Sequence, residues 1–150
     1  MYGKRWRCAI AALSITAANV DIGDLTVRLE KVIGGESITQ GMPVWKNTAT
    51  NPAKYYRADA NASALASTAA GIALTACSGD GNVFVVMGGE GVLMNLGATL
   101  VVGETYCVGS TAGTIVPIGD LTTGDYPFII GQATTTALIK TVFAGAGVAK

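Results

Sequence analysis

The chain has 150 residues, zero formal net charge and only 13% charged residues, half of it is hydrophobic, and it contains no histidine. That length suits one domain or two small lobes sharing a core. The missing histidines exclude His-dependent triads and most zinc sites, and so few charges leave some surface to be covered by a partner.

The charge is divided along the chain. Residues 1–57 carry eight Lys or Arg against four acids, and residues 58–150 carry two against six. A basic front of this kind suits docking on an acidic surface and falls short of the dense stripe that nucleic acid needs. The first residues, MYGKRWRCAI, place Trp6 among Lys4, Arg5 and Arg7. Trp6 could stack on nucleic acid or sit at a membrane interface. The favoured reading is an arm that threads a protein groove with Trp6 as anchor. The apolar run from Cys8 to Leu13 is too brief for a secretory leader, and no stretch reaches the ~18 apolar residues of a membrane span.

Further along, helical periodicity is nearly absent. Leu25–Val32 (LTVRLEKV) alternates apolar and polar residues and predicts a half-buried strand. Lys54, Tyr55, Tyr56 and Arg57 sit in NPAKYYRADAN, read as an exposed hairpin with a tyrosine-lined contact edge, although paired tyrosines could also hold a sugar or a base. Asn61–Ala70 predicts a loop or one turn of helix. Strands follow in GIALTA, NVFVVMG, ATLVVG, ETYCVG, GTIVPI, YPFIIGQA and ALIKTVFAG. Asp80-Gly81 predicts a hairpin turn, and Pro117 and Pro127 must lie at strand ends or edges.

The chain also repeats itself. Gly35–Lys46 and Gly97–Val108 share the frame G-x-x-[IL]-x-x-G-x-x-[apolar], Gly71 and Gly131 each interrupt an apolar strand, and each half closes on a strand and glycines. The expected fold is therefore all-β. Two related Gly-rich units, small barrels or sandwiches over about 35–92 and 97–148, form a body over 25–150, with residues 1–24 as an extended N-terminal arm. Leu13, Ile15 and Val20 of the arm, and Arg28, Lys31 and Lys46 of the body, join the bases and tyrosines above as expected partner or subunit contacts.

Chemistry is scarce. The three cysteines, Cys8, Cys77 and Cys107, show no C-x-x-C spacing, which suits a reducing compartment, though one Cys77–Cys107 bridge remains possible. Asp120 and Asp125 stand in GDLTTGDYP, where glycine and threonine indicate a turn rather than a catalytic carboxylate pair. GGEGV and GAGVAK complete no phosphate loop. No catalytic residue, metal site, cofactor or small-molecule substrate is expected.

The segments ALSITAANV, GIAL and GATLVVGETYCVGSTAGTIVPIGDLTTGDY resemble the head decoration (capsid cement) proteins of tailed bacteriophages. Ile15, Thr16, Ala17 and Val20 fit the family's N-terminal motif. Gly97, Gly103, Tyr106, Thr111, Ala112, Gly113, Ile115, Pro117, Asp120, Leu121, Gly124 and Tyr126 fit its long central one. The likeness spans residues 11–148. Gly109 departs from the family's usual serine, and the basic MYGKRWRCAI extension lies upstream of its usual start. The resemblance implies a structural virion protein made in the host cytoplasm. It would bind the major capsid protein on the capsid exterior, commonly as homotrimers, and stabilise the shell without enzymatic activity, nucleic-acid binding or membrane contact. The alternative is a tail-fibre or adhesion-type β module that binds a glycan or receptor.

Overall fold

The structure, a computed structural model, describes residues 12–22 and 27–150. These residues are nearly all β, with one α-helical turn, α1 (Ala64–Ser67), and two 3₁₀ turns, at Ala17–Asn19 and Ile118–Asp120. The α1 turn falls within Asn61–Ala70, as expected. The Ser63 hydroxyl caps it by accepting from the Ala66 N–H at 3.1 Å.

After a short strand β1 (Val20–Ile22), the first unit runs through β2 (Arg28–Gly34), β3 (Ser37–Ile38), β4 (Pro43–Asn47), β5 (Lys54–Arg57), β6 (Gly71–Ala73), β7 (Cys77–Ser78) and β8 (Val83–Gly88). Five of these strands close a barrel in the order β2-β5-β4-β6-β8, while β3 and β7 form a separate two-stranded ribbon. Closure depends on a parallel pairing of β2 with β5. The interior is filled by Val32, Val44, Tyr55, Ala73, Phe84 and Val86, with Ile38 and Cys77 of the ribbon plugging one end.

The second unit runs through β9 (Leu93–Leu96), β10 (Thr105–Val108), β11 (Ile115–Pro117), β12 (Phe128–Ala133) and β13 (Leu138–Gly145). Its sheet order is β1-β9-β13-β12-β10-β11. Apart from β1, this repeats the first unit: with the ribbon set aside, the spatial order in both is first, fifth, fourth, second, third. Glycines mark the correspondence. A Cβ at Gly71 would collide with the Met87 carbonyl of β8, and one at Gly131 with the Lys140 carbonyl of β13. Gly41 and Gly103, at φ +86° and +83°, turn the chain into β4 and β10. The units start one strand before Gly35 and Gly97, because β2 and β9 precede those glycines.

The units differ in how they close. No pairing joins β11 to β9. The gap is crossed by residues 13–22 instead: the Leu13 N–H donates to the Ile115 carbonyl (2.8 Å), the Thr16 N–H donates to the Gly97 carbonyl (2.7 Å), and β1 pairs with β9 in the register Val20↔Leu96, Asp21↔Asn95, Ile22↔Met94. Gly35 shows the parallel. Its N–H donates to the Tyr55 carbonyl of β5 at 2.9 Å, and a side chain there would strike the Tyr56 ring, whereas a side chain at Gly97 would strike the Thr16 backbone. The N-terminal segment thus bridges the gap that β5 closes directly against β2 in the first unit. Leu13, Ile15, Val20 and Ile22 pack on the larger core, which joins the outer wall of the barrel (Ile72, Met87) to the second unit's interior (Met94, Leu96, Tyr106, Ile115, Ile130, Ile139). Of the arm expected over residues 1–24, residues 12–22 therefore do not reach outward. Residues 12–22 are bound to their own body, because open edges and buried apolar groups beside them need cover. Residues 1–11, 23 and 24 lie outside the described set.

Three local expectations also change. ATLVVG is not a strand: Leu100 is buried, as Ile38 is at the matching place in the first unit, but Val101 and Val102 stand 65% and 59% exposed on a turn closed by the Glu104 N–H to the Val101 carbonyl. β2 is not half-buried along its length, since Arg28 to Lys31 are all exposed and Leu29 is 53% exposed. That half of the strand runs out to the barrel's mouth, so both of its faces are wet. Asp80-Gly81 does make a turn, with Gly81 at φ +82°, but it joins β7 to β8, which pair with other strands and not with each other. Pro117 ends the edge strand β11, and Pro127 immediately precedes β12.

Candidate binding surfaces

The expected contact residues Arg28, Lys31, Lys46, Lys54, Tyr55, Tyr56 and Arg57 all belong to the barrel wall, on β2, β4 and β5. Alternation along the strands sends Arg28, Glu30, Lys46 and Tyr55 towards the barrel's interior, where they line a mouth of about 220 Å³ with Val86, Gly88 and Gly89. Tyr55 is 5% exposed and meets Phe84 edge-on, with ring centroids 6.4 Å apart. The Lys46 ammonium lies 6.0 Å from the Tyr55 ring centroid. Burial, and secondarily the Glu30 carboxylate, raises the Tyr55 hydroxyl above its ordinary pKa against the opposing pull of Arg28. Tyr56 pairs across the sheet with Trp45, their rings 5.7 Å apart, and covers Gly35. The exposed tyrosine-edged hairpin expected over 51–61 is therefore not formed: β5 is a barrel stave, held by β4 on one side and β2 on the other.

Three of the five described basic residues expected as contacts are paired within the chain. Arg57 pairs with Glu36 at 2.8 Å, Lys54 with Asp80 at 2.6 Å, and Arg28 loosely with Glu30 at 3.7 Å. The Glu36 carboxylate also accepts from the Arg57 backbone N–H at 2.7 Å, and hydrogen bonding to it holds the guanidinium above its ordinary pKa. The Arg57 stem runs under Gly113 of the second unit, where an added Cβ would lie 3.1 Å from its Cδ. Arg57 is therefore a strut between units. Lys54 is raised too, first by its hydrogen bond to Asp80. Among the described residues, Lys31 has no carboxylate at ion-pair distance. Lys4, Arg5, Trp6 and Arg7 lie outside the described residues, and Leu13, Ile15 and Val20 are half-buried against their own core.

The groups able to do chemistry are occupied by structure. Cys77 and Cys107 are free, buried thiols in separate cores, so the possible bridge between them is not formed. Burial, followed by the charges of Asp120 and Asp125, pushes the Cys107 thiol up to about 12. Asp125 is 1% exposed, and one of its oxygens accepts from the Thr122 N–H (2.7 Å), the Thr122 hydroxyl (3.0 Å) and the Ser110 hydroxyl (2.9 Å). That set clamps a turn. The described residues contain no cluster of three or more metal-ligating side chains, and no helix among them is long and apolar enough to cross a membrane.

The outward face offers apolar groups in place of chemistry. Val101 and Val102 project from the Gly97–Glu104 turn, while Leu65, Val83 and Val142 are exposed at 59%, 60% and 40%. None was singled out by reading the sequence as a contact. The available signal was the paired valines ahead of Gly103, which strand periodicity absorbed. An open groove of about 1070 Å³ runs beside the N-terminal segment, where hydroxyl and amide side chains such as Thr16, Asn19, Asn95 and Thr136 alternate with small and apolar residues. No family model, no curated protein and no solved structure matches this chain.

Proposed function

We propose that this chain is a capsid decoration protein: it binds the major capsid protein on the outside of a bacteriophage head, self-associates as a trimer, and stabilises the shell. The observation that carries this reading is the pair Val101 and Val102. They lie inside the stretch that resembles decoration proteins and hold two β-branched side chains in water on a turn anchored by buried Leu100. A body whose polar groups are committed to turns, pairs and caps has contact area to offer, and a structural virion role asks for that alone. The internal pairing of Arg28, Lys54 and Arg57 makes the attachment chiefly apolar, with charge setting orientation.

The test is co-sedimentation with expanded heads assembled from a tailed-phage major capsid protein. The expected result is saturable binding that survives raised salt and is lost when Val101 and Val102 are both replaced by aspartate. A chain that stays in the supernatant with intact heads, or that instead binds defined glycans on an array, overturns the reading.

A further inference from the structure

Both units must close against their first strand: β5 does so directly in the first, and in the second the N-terminal segment spans the gap left by β11. In the second unit, the strip between β9 and β11 is covered by residues 13–22, and the side chains beneath, Met94, Leu96 and Ile115, are fully buried. The strip must therefore always be filled. We propose that it is a strand-exchange site whose second occupant is residues 12–22 of another copy of this chain.

Three observations support exchange here. First, the segment is read by backbone bonds and by alternate side chains: Leu13 and Ile15 turn inward while Ser14 and Thr16 face out, the pattern by which added strands are recognised. Second, no described ion pair holds it in place, and the Asp21 carboxylate is spent on its own neighbour, accepting from the Ile22 N–H at 2.8 Å. Third, the segment sits in the second unit, while the strand that follows it in the chain, β2, belongs to the first. Seated on a second copy, the segment makes the same contacts in trans, which is the low-cost route to oligomers. β5 is held differently: it is paired on both sides, to β2 and β4, and the chain runs on through residues 58–60 to the second unit, where the Ala60 N–H donates to the Gly109 carbonyl. Passed head to tail around a three-fold axis, the segment ties three copies into a ring. The inference rests on the self-association in the proposed function and not on the capsid.

Asp21 and Asn95 are cross-strand partners at the seam, within the Cα reach of a disulfide. In a Cys8→Ser background, Asp21→Cys copies are mixed with Asn95→Cys copies, incubated over a range of concentrations, oxidised and run on a non-reducing gel. The expected product is a covalent dimer containing one copy of each, growing with concentration and well above what either variant forms alone. Absence of that mixed dimer overturns the proposal. The chain carrying both substitutions serves as the geometric control, and sedimentation of the unaltered chain gives an independent reading: a monomer at the highest attainable concentration also overturns exchange. Trimers without mixed dimers reject exchange and leave the capsid reading standing, whereas mixed dimers from a chain that ignores heads do the reverse.

Discussion

The first unit closes on itself and the second does not, although both follow one strand order. In the first, β5 runs parallel to β2 and completes a barrel, and the Tyr55 carbonyl receives the Gly35 N–H. In the second, β11 ends at Pro117 without reaching β9, and the Gly97 carbonyl receives the N–H of Thr16 from the far end of the chain. A duplicated frame therefore conserves the need for a strand at a given place without conserving its source. The difference also shows in what each glycine excludes: Gly35 makes room for an aromatic ring that can swing aside, while Gly97 makes room for a backbone that cannot.

Alanine at these two glycines tests the comparison most severely. Gly97→Ala forces a side chain into a φ of +69° and onto the Thr16 backbone. We expect a loss of about 1–2 kcal/mol from the left-handed conformation, with overpacking adding about 1–3 kcal/mol, and release of residues 12–22 to protease. Gly35→Ala should cost clearly less in urea unfolding and leave the segment protected. Equal losses would mean that the two closures are equivalent after all.

The matching glycines inside the strands should behave alike. Gly71→Ala and Gly131→Ala each drive a Cβ into a neighbouring carbonyl, and each should cost on the order of 1–3 kcal/mol. Widely different urea midpoints would separate the units at the one place where they look the same. Asp125→Ala probes a device of the second unit, the buried carboxylate that accepts from Thr122 and Ser110. Leaving those donors without their acceptor should cost about 1–3 kcal/mol, read from the same unfolding curves.

A pH experiment tests the burial of Cys107 in the second unit's core. The Cys107 pKa rises from 9.0 in the open chain to about 12 when folded. The folded state thus prefers the protonated thiol, so its stabilising contribution is complete below about pH 9 and drains away as pH climbs towards about 12. Stability should fall between about pH 8 and about pH 10.5 by more in the natural chain than in Cys107→Ala. An equal fall in both would show that the thiol carries no part of the alkaline loss. The smallest effect is expected at the strut: Arg57→Lys, which keeps the charge but not the guanidinium's Nη2 hydrogen bond to Glu36, should cost under about 1 kcal/mol of stability by calorimetry.

Much of this was legible in the residues. β-branched runs bounded by glycine announced an all-β chain, and the frames at Gly35 and Gly97, with the strand glycines Gly71 and Gly131, announced two like units. What escaped was non-local. Nothing near Leu13, Ile15 or Val20 says that their cover is β9, β11 and the Gly41 turn, where a Cβ would lie 2.7 Å from Ile15. Nothing near Tyr55 says that a parallel pairing with β2 turns it inward. Val101 and Val102 look like strand because their composition is that of strand, and a positive φ at Gly103 makes them a turn. The basic face dissolved for a similar reason: Lys54 finds its acid at Asp80, and no window of sequence holds both.

The borrowed closing strand also bears on synthesis. A ribosome releases Leu13 and Thr16 first, and their acceptors, Gly97 and Ile115, emerge only after the whole first unit has left the tunnel. The barrel from β2 to β8 can close on itself as it appears. The second unit must assemble around a segment already waiting outside, whose long-range pairings are slow to form. During that interval, on a messenger read by several ribosomes at once, the nearest free segment can belong to a neighbouring nascent chain.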